Sequence, residues 1–251
     1  DVLTGISAQV DEEIIITGAG ASDNFHFAKT HQYYKDKAFN HSAIGLLLGG
    51  RMLWAVSSQH GWKPLGRPRT ITKAEGHIIR TIDGKKAAEV YHQYFEKTPE
   101  TIRDEQLGPV KILYPLGISL GRKKGNLIRN VLGILDDGSI LCQDTVPENA
   151  EVHLMIGNPD SHLGAAAQAA KMVREQLANQ RPRLVLIFES LLRYRILRRT
   201  SGQITRIIQD ILGEDIPILG MYSWGEFVTF KGLPPPNVFV QNGNITLVAI
   251  G

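Results

Sequence analysis

The sequence predicts an α/β protein built from mixed sheets with covering helices, in two lobes related by an internal duplication. Its 251 residues are enough for two lobes that each bury a core. The 43% of hydrophobic and 21% of charged residues are ordinary for a globular chain and exclude extended disorder. Apolar runs of strand length alternate with helical segments and with hairpin turns. This mixture indicates mixed sheets rather than one parallel doubly wound sheet.

The first lobe is predicted over residues 1–104. Apolar residues spaced by three or four positions predict helices, and runs of β-branched residues predict strands. The resulting elements are a helix at Val2–Val10, strands at Ile14–Thr17, Tyr33–Lys37 and Ser42–Leu48, a hairpin of Thr70–Lys73 with His77–Thr81, a turn at Asp83-Gly84 and an amphipathic helix at Lys85–Glu96. The polar stretch Thr98–Gln106 contains Pro99 and predicts the boundary between the lobes.

The second lobe, residues 105–251, combines strands with longer helices. The predicted strands are Lys111–Ile118, Asn126–Leu135, Ser139–Thr145, Glu151–Ile156, Arg183–Phe188, Ile216–Gly220 and Ile245–Ile250. The continuous apolar run at Arg183–Phe188 is typical of a fully buried strand. Helices are predicted at the alanine-rich segment Leu163–Ala178 and at Ile204–Leu212, which Gly213 is well placed to end.

An internal repeat relates the two ends of the chain. A helix, an acidic turn, a β-branched strand and a glycine follow one another in Val2–Gly18 and again in Ile204–Gly220. Each copy then returns, after roughly twenty residues, to an apolar closing strand, Asn40–Gly49 in one and Asn242–Gly251 in the other. An ordered set of matches of this kind predicts a duplication.

Two predicted turns follow the ends of buried strands, the usual position of a ligand in α/β sheets. The first turn is Gly18–Asp23, whose glycines, Gly18 and Gly20, would let a ligand approach the backbone beside Ser22. Asp23 could receive an ammonium or hydroxyl group of that ligand. Alternatively, Asp23 caps a local amide and the turn is structural only.

The second turn, Gly220–Glu226, places aromatic and carboxylate groups together. Its candidate ligand-binding residues are Tyr222, Ser223, Trp224 and Glu226. The alternative is a buried aromatic pair with Glu226 in a surface ion pair. Elsewhere, Trp62 could wall a pocket or fill the core, and Arg193 could bind a carboxylate through two hydrogen bonds or face water.

Composition and motifs argue against several other classes of function. The net charge of +3, without a basic stripe interleaved with aromatic residues, predicts no nucleic-acid partner. The single cysteine, Cys142, excludes an intramolecular disulfide, suits the cytoplasm and is interpreted as buried apolar filler. No apolar run reaches the roughly 18 residues of a membrane helix, so no membrane insertion is predicted. Phosphate loops, dinucleotide fingerprints, metal-ligand spacings and nucleophile elbows do not occur, so we predict no cofactor, no metal and no enzyme.

Short motifs run in a fixed order along nearly the whole chain. They are Ile16–Asp23, Gly61–Gly66, Ile71–Ala74 and Ile82–Ala87 in the first part, and Tyr114–Gly117, Asp137–Ile140, Leu184–Arg193 and Leu219–Glu226 with Asn242 in the second. In this order the motifs resemble the N-terminal and then the C-terminal part of the FIST sensory domain family. The resemblance further implies that the family's N-terminal part opens with a segment that this chain largely lacks. The family also often has a cysteine where this chain has Glu189-Ser190, which argues against a thiol-dependent role.

The resemblance implies an intracellular signal-input module that binds a small ligand such as an amino acid. Its implied output partner is a histidine kinase, a diguanylate cyclase or a chemotaxis transducer. The leading hypothesis is therefore a sensor whose ligand lies near the paired turns. In this hypothesis Asp23 or Glu226 receives an ammonium group and Arg193 binds a carboxylate. The remaining predicted ligand-binding residues are Gly18, Gly20, Ser22, Trp62, Tyr222, Ser223, Trp224 and Asn242.

Two other functions stay open on the sequence. The first is a protein-interaction module that has no small ligand and docks through the proline-rich loop Leu233–Asn237. The second is an uncharacterised enzyme whose activity depends on a polar side chain in either turn.

Overall fold

The computed structural model describes residues 2–11, 13–95, 113–121, 125–229 and 238–251. Over these ranges it confirms the mixed α/β class. The strands are β1 (Thr17–Ala21), β2 (Gln32–Tyr34), β3 (Lys37–Phe39), β4 (Trp54–His60), β5 (Lys63–Glu75), β6 (Ile78–Ile82), β7 (Lys85–Lys86), β8 (Leu116–Ser119), β9 (Asn126–Arg129), β10 (Val131–Ile134), β11 (Ile140–Cys142), β12 (Glu151–Ile156), β13 (Leu184–Ser190), β14 (Ile218–Thr229), β15 (Val238–Gln241) and β16 (Asn244–Ile250). The helices are α1 (Val2–Ser7), α2 (Glu89–Phe95), α3 (Pro159–Gln176), α4 (Leu191–Leu197) and α5 (Gln203–Leu212), with a 3₁₀ turn at Arg198–Thr200. None of these helices is long and apolar enough to cross a membrane.

The chain divides into two compact units. The first unit contains Asp1–Gly61 and Pro159–Gly251, and the second unit contains Trp62–Asn158. The predicted boundary between the lobes, at residues 104 and 105, lies outside the described residues. The proline-rich loop Leu233–Asn237 lies outside them as well.

The first unit is built on a sheet with the strand order β1–β14–β13–β16–β4, in which β15 also pairs with β14. Strand β13 runs parallel to β14 and antiparallel to β16. Helix α3 packs on β4 and β16, and α5 packs on α3. The predicted helical periodicity of α5 is confirmed, because Ile204, Ile208 and Leu212, spaced four residues apart, are its buried residues.

The second unit is an antiparallel sheet with the order β10–β11–β6–β5–β12–β8–β9, and β7 also pairs with β6. The predicted hairpin is confirmed: β5 pairs with β6, and the turn between them contains Gly76 at a φ of 58°, which favours glycine. Cys142 is buried as predicted. Its burial raises the pKa of the thiol to about 12, far above the range of a reactive cysteine.

The two predicted turns at Gly18–Asp23 and Gly220–Glu226 are wrong as turns, because most of each range lies in a strand. Strand β1 pairs antiparallel with β14, and both glycines of the first range serve that pairing. A Cβ atom on Gly18 would lie 2.7 Å from the Phe227 ring, and one on Gly20 would lie 2.7 Å from the Trp224 carbonyl oxygen. The two glycines therefore leave room for β14. The space that was predicted for a ligand beside the backbone is filled by residues of that strand.

The predicted strand at Ser42–Leu48 is also wrong. These residues form no strand in the described part of the chain, although their composition is that of the closing strand β16. Leu46 and Leu47 are 81% and 80% exposed. A strand needs a hydrogen-bonded neighbour to be stable, and this segment has none among the described residues.

Candidate ligand-binding site

A cavity of about 260 Å³ lies in the first unit, where the chain leaves β1. Its lining comprises the aromatic side chains of Phe25, Phe27 and Trp224, the polar or charged residues Ser22, Asp23, Lys29, Thr30 and His41, and Ala21 and Ala28. The volume is just below the roughly 300–1,000 Å³ of typical small-molecule sites. The cavity therefore has the size of a site for a small ligand.

The aromatic wall of the cavity is a packed cluster of three rings. Phe25 and Phe27 each contact Trp224 edge to face, with ring centroids 5.4 Å apart. Phe25 and Phe27 adopt φ values of 65° and 52°, in the left-handed region that bulky residues avoid. Backbone strain of this kind persists only where surrounding contacts hold it, and it is enriched at ligand-binding sites.

Asp23 supplies the contacts that hold this loop. Its Oδ1 accepts a hydrogen bond from the Phe27 amide at 3.0 Å, and its Oδ2 accepts bonds from the Ala28 and Lys29 amides at 2.7 and 3.1 Å. These bonds, that from the Ala28 amide above all, lower the pKa of the Asp23 carboxyl, so the group is ionised at neutral pH. A carboxylate has about four acceptor positions, and the three amides occupy most of them.

Replacing Asp23 by asparagine is expected to loosen the loop. The Asn side chain has one acceptor oxygen and would turn a donor toward one of the three amides. We expect the Phe27, Ala28 and Lys29 amides to exchange with solvent about tenfold faster in Asp23→Asn, as measured by hydrogen exchange. Asp36→Asn, in the exposed hairpin turn, is the matched control. Unchanged exchange at all three amides would show that Asp23 does not hold the loop.

A second group of polar side chains is buried where β13 ends and α4 begins. We call it the buried polar cluster; it consists of His162, Glu189, Arg193, Ser223, Glu226 and Asn244. Arg193 is fully buried and donates from Nε to Glu189 Oε1 at 3.1 Å and from Nη2 to the His162 carbonyl at 2.9 Å. Its Nη1 lies 3.0 Å from His162 Nδ1. The guanidinium is therefore engaged within the protein on each of its three nitrogens.

Glu226 is the second carboxyl of the buried polar cluster. It accepts hydrogen bonds from Ser223 Oγ at 2.6 Å and from the Asn244 amide at 3.2 Å. Burial raises the pKa of Glu226 to about 8, and the two hydrogen bonds and Arg193 offset only part of this effect. Glu226 therefore holds a proton in the folded protein at neutral pH. Burial, with Arg193 nearby, lowers the pKa of His162 to about 3, so its ring is neutral.

Helix α4 contacts both the cavity wall and the buried polar cluster. Arg193 points into the cluster, Tyr194 packs on Tyr222 with ring centroids 5.0 Å apart, and Arg195 lies 4.9 Å above the Phe25 ring. A displacement of the Phe25 ring would therefore alter its direct contact with Arg195 of α4.

The family of the chain follows from a comparison with protein families. Residues 1–85 match the FIST N domain, and residues 87–229 match the FIST C domain. The chain belongs to the FIST family. FIST domains are sensory domains, and the order of the two matches is the order predicted from the motifs.

The chain is also similar to an individual protein from an archaeon. The FIST chain is similar to a protein of Methanocaldococcus jannaschii that is described as uncharacterized, with 27% identity over 154 residues. The match covers 57% of the FIST chain and 29% of the relative, so the chain spans less than a third of the relative's length. No solved structure matches the chain.

The structure divides the predicted site residues of the FIST chain into groups. Ser22, Asp23 and Trp224 line the cavity, whereas Arg193, Ser223 and Glu226 belong to the buried polar cluster. The alternative of a surface ion pair for Glu226 is wrong, because the residue is fully buried. The remaining predicted residues are Gly18 and Gly20 in β1, Tyr222 in β14 with 39% exposure, Asn242 buried in the turn before β16, and Trp62 buried in the second unit.

Several residues of the FIST site were not found from the sequence. The cavity adds Phe25, Phe27 and Lys29, and the buried polar cluster adds His162 and Glu189. Phe25 and Phe27 could have been found from the sequence, because two phenylalanines stand out in the short polar segment after Asp23. His162 has no such signal, because only packing brings α3 to the end of β13. Among the described residues, no cluster of three or more His, Cys, Asp or Glu side chains could hold a metal ion.

Proposed function

We propose that the FIST chain senses a small polar metabolite, with an amino acid as the model ligand, and binds it in the cavity beside Trp224. The observation that carries this proposal is the strained aromatic loop held by Asp23 over a cavity of about 260 Å³. Ligand sites of this type combine an apolar wall with a few placed polar groups. The lining of this cavity has that composition.

The charges of the lining favour a zwitterionic ligand. The ionised Asp23 carboxylate would attract the ligand ammonium, and the Lys29 side chain would pair with the ligand carboxylate. The rings of Phe25, Phe27 and Trp224 would cover the apolar part of the ligand. In this proposal Arg193 and Glu226 support the wall from within the protein and do not contact the ligand.

Signal transmission would proceed through α4 to an output protein such as a histidine kinase, a diguanylate cyclase or a chemotaxis transducer. A ligand that rearranges Phe25 alters the contact with Arg195, while Arg193 holds the same helix to the buried polar cluster. Only a ligand with different affinities for two arrangements of α4 can shift their populations. This proposal treats the chain as a binding module without catalytic turnover.

A thermal-shift screen against amino acids and common metabolites is the first test, because a ligand that binds only the folded state raises the melting temperature. For a ligand that gives a saturable shift, we expect Trp224→Ala to weaken binding by about tenfold or more, since it removes a central ring of the wall. Trp54→Ala is the matched control, because Trp54 lies at the opposite edge of the same sheet, on β4. Equal affinity of Trp224→Ala and the unaltered chain would place the ligand elsewhere. A screen without any shift would argue against the sensor itself.

A further inference from the structure

The cavity beside Trp224 combines three aromatic rings with one carboxylate. The ring planes of Phe25 and Phe27 are inclined to the Trp224 plane by 83° and 78°, and all three residues line the cavity. The two phenylalanine planes are inclined to each other by 65°. Rings inclined in this way can present their faces to a rounded group from several sides.

This aromatic wall is suited to a positive charge, because the face of an aromatic ring carries partial negative charge. One ring of the wall already has a cation above it, since Arg195 Cζ lies 4.9 Å from the centroid of Phe25. The side chain of Phe27 is 55% exposed, so a ligand can reach its ring. The wall can therefore attract a cationic group of a ligand as well as cover its apolar part.

The hydrogen bonds of Asp23 determine which kind of cation fits. Its carboxylate accepts hydrogen bonds from the amides of Phe27, Ala28 and Lys29, and its own backbone amide is a fourth donor. These donors match the roughly four acceptor positions of a carboxylate. Asp23 therefore supplies negative charge to the cavity but no acceptor position for a further N–H group.

A primary ammonium group needs acceptors that this carboxylate does not provide. It carries three N–H donors, and each donor that leaves water without a new partner disfavours binding. A quaternary ammonium group has no N–H donor, and its charge is spread over methyl groups that pack against aromatic faces. The rings and the carboxylate of the cavity thus match a quaternary ammonium group better than a primary one.

We propose that the cavity binds a quaternary ammonium carboxylate, a small molecule with a trimethylammonium group at one end and a carboxylate at the other. The trimethylammonium group lies against the rings of Phe25, Phe27 and Trp224. Asp23 neutralises its charge without a direct hydrogen bond, and Lys29 pairs with the carboxylate of the ligand. This inference rests on the proposed function and narrows its ligand class to fully N-methylated amino acids.

The test is isothermal titration calorimetry of the whole chain with glycine and with N,N,N-trimethylglycine, which differ only in N-methylation. We expect trimethylglycine to bind about tenfold more tightly than glycine. The third compound is 3,3-dimethylbutanoate, which has the shape of trimethylglycine with a carbon atom in place of the charged nitrogen, and it should bind about tenfold more weakly than trimethylglycine. Glycine or 3,3-dimethylbutanoate binding as tightly as trimethylglycine would overturn the proposal.

Two variants of the chain separate the effect of the ring face from that of apolar contact. Phe27→Leu removes a ring but keeps an apolar side chain, so it should weaken trimethylglycine several-fold and leave the affinity for 3,3-dimethylbutanoate nearly unchanged. Phe39→Leu, at a partly exposed phenylalanine of β3 outside the cavity lining, is the matched control and should leave both affinities unchanged. Equal weakening of both compounds by Phe27→Leu would contradict the proposal, because the ring would then act through apolar contact alone.

The same titrations distinguish this inference from the proposed function. If amino acids with a primary ammonium bind and lose affinity in Trp224→Ala while trimethylglycine does not bind, the ligand class is wrong and the sensor remains. If neither kind of compound binds, the inference and the proposed function both fail.

Discussion

Replacing Arg193 by methionine is expected to lower the free energy of unfolding by about 3–5 kcal/mol. The substitution keeps most of the side-chain volume but removes the charge that pairs with Glu189 inside the protein. Glu189 is then an uncompensated buried carboxylate, and the His162 carbonyl loses its bond from Nη2. Urea unfolding of the variant and the unaltered chain at pH 7 measures this difference.

The controls separate charge from packing at this position. Arg199→Met, at an exposed arginine of the following 3₁₀ turn, should change the free energy of unfolding by less than about 1 kcal/mol. The double variant Arg193→Met with Glu189→Leu should recover much of the loss, because replacing both partners of a buried ion pair by apolar residues is often nearly neutral. A loss below about 1 kcal/mol for Arg193→Met alone would mean that the ion pair does not organise this region.

Stability is expected to fall as the pH rises from 6.5 to 8, and Glu226→Gln should remove this fall. The folded-state pKa of Glu226, about 8, lies above its usual 4.5, so between these values the folded protein holds a proton that the unfolded chain has released. Raising the pH through this window therefore favours unfolding, by at most about 1.4 kcal/mol per pH unit. His162 acts in the opposite direction: its folded-state pKa is lowered from 6.5 to about 3, so its effect is complete above pH 6.5.

The measurement is the free energy of unfolding at pH 6.5 and at pH 8. We expect the unaltered chain to lose about 1–2 kcal/mol between these values relative to Glu226→Gln. Glu214→Gln, at an exposed glutamate after α5, is the matched control and should keep the loss. The same pH dependence in Glu226→Gln and the unaltered chain would mean that Glu226 is ionised in the folded state.

Much of the fold could be predicted because local patterns and tertiary packing agree there. Helix α5 has the apolar spacing that it buries, β13 is the continuous apolar run of a central strand, and Gly76 allows the positive φ in the turn between β5 and β6. The candidate site was predicted in part. Asp23 and Trp224 do line the cavity, but Phe25 and Phe27 were missed because their exposure to a cavity depends on a loop conformation set by hydrogen bonds to Asp23.

The sequence by itself determined the α/β class, the repeat and the family of this chain. Residue periodicity and the order of motifs can be read from the sequence without knowing how the helices and strands pack. Only the tertiary structure decided which strands pair and which charges are buried. Gly18 and Gly20 looked like turn residues, yet they make room for β14, a strand about two hundred residues away along the chain. Ser42–Leu48 has a strand-like sequence but forms no strand in the described part of the chain, because a strand is stable only beside a hydrogen-bonded neighbour. Arg193 lies in a run of arginines, and its inward direction follows from the contacts with Glu189 and His162 rather than from its residue type.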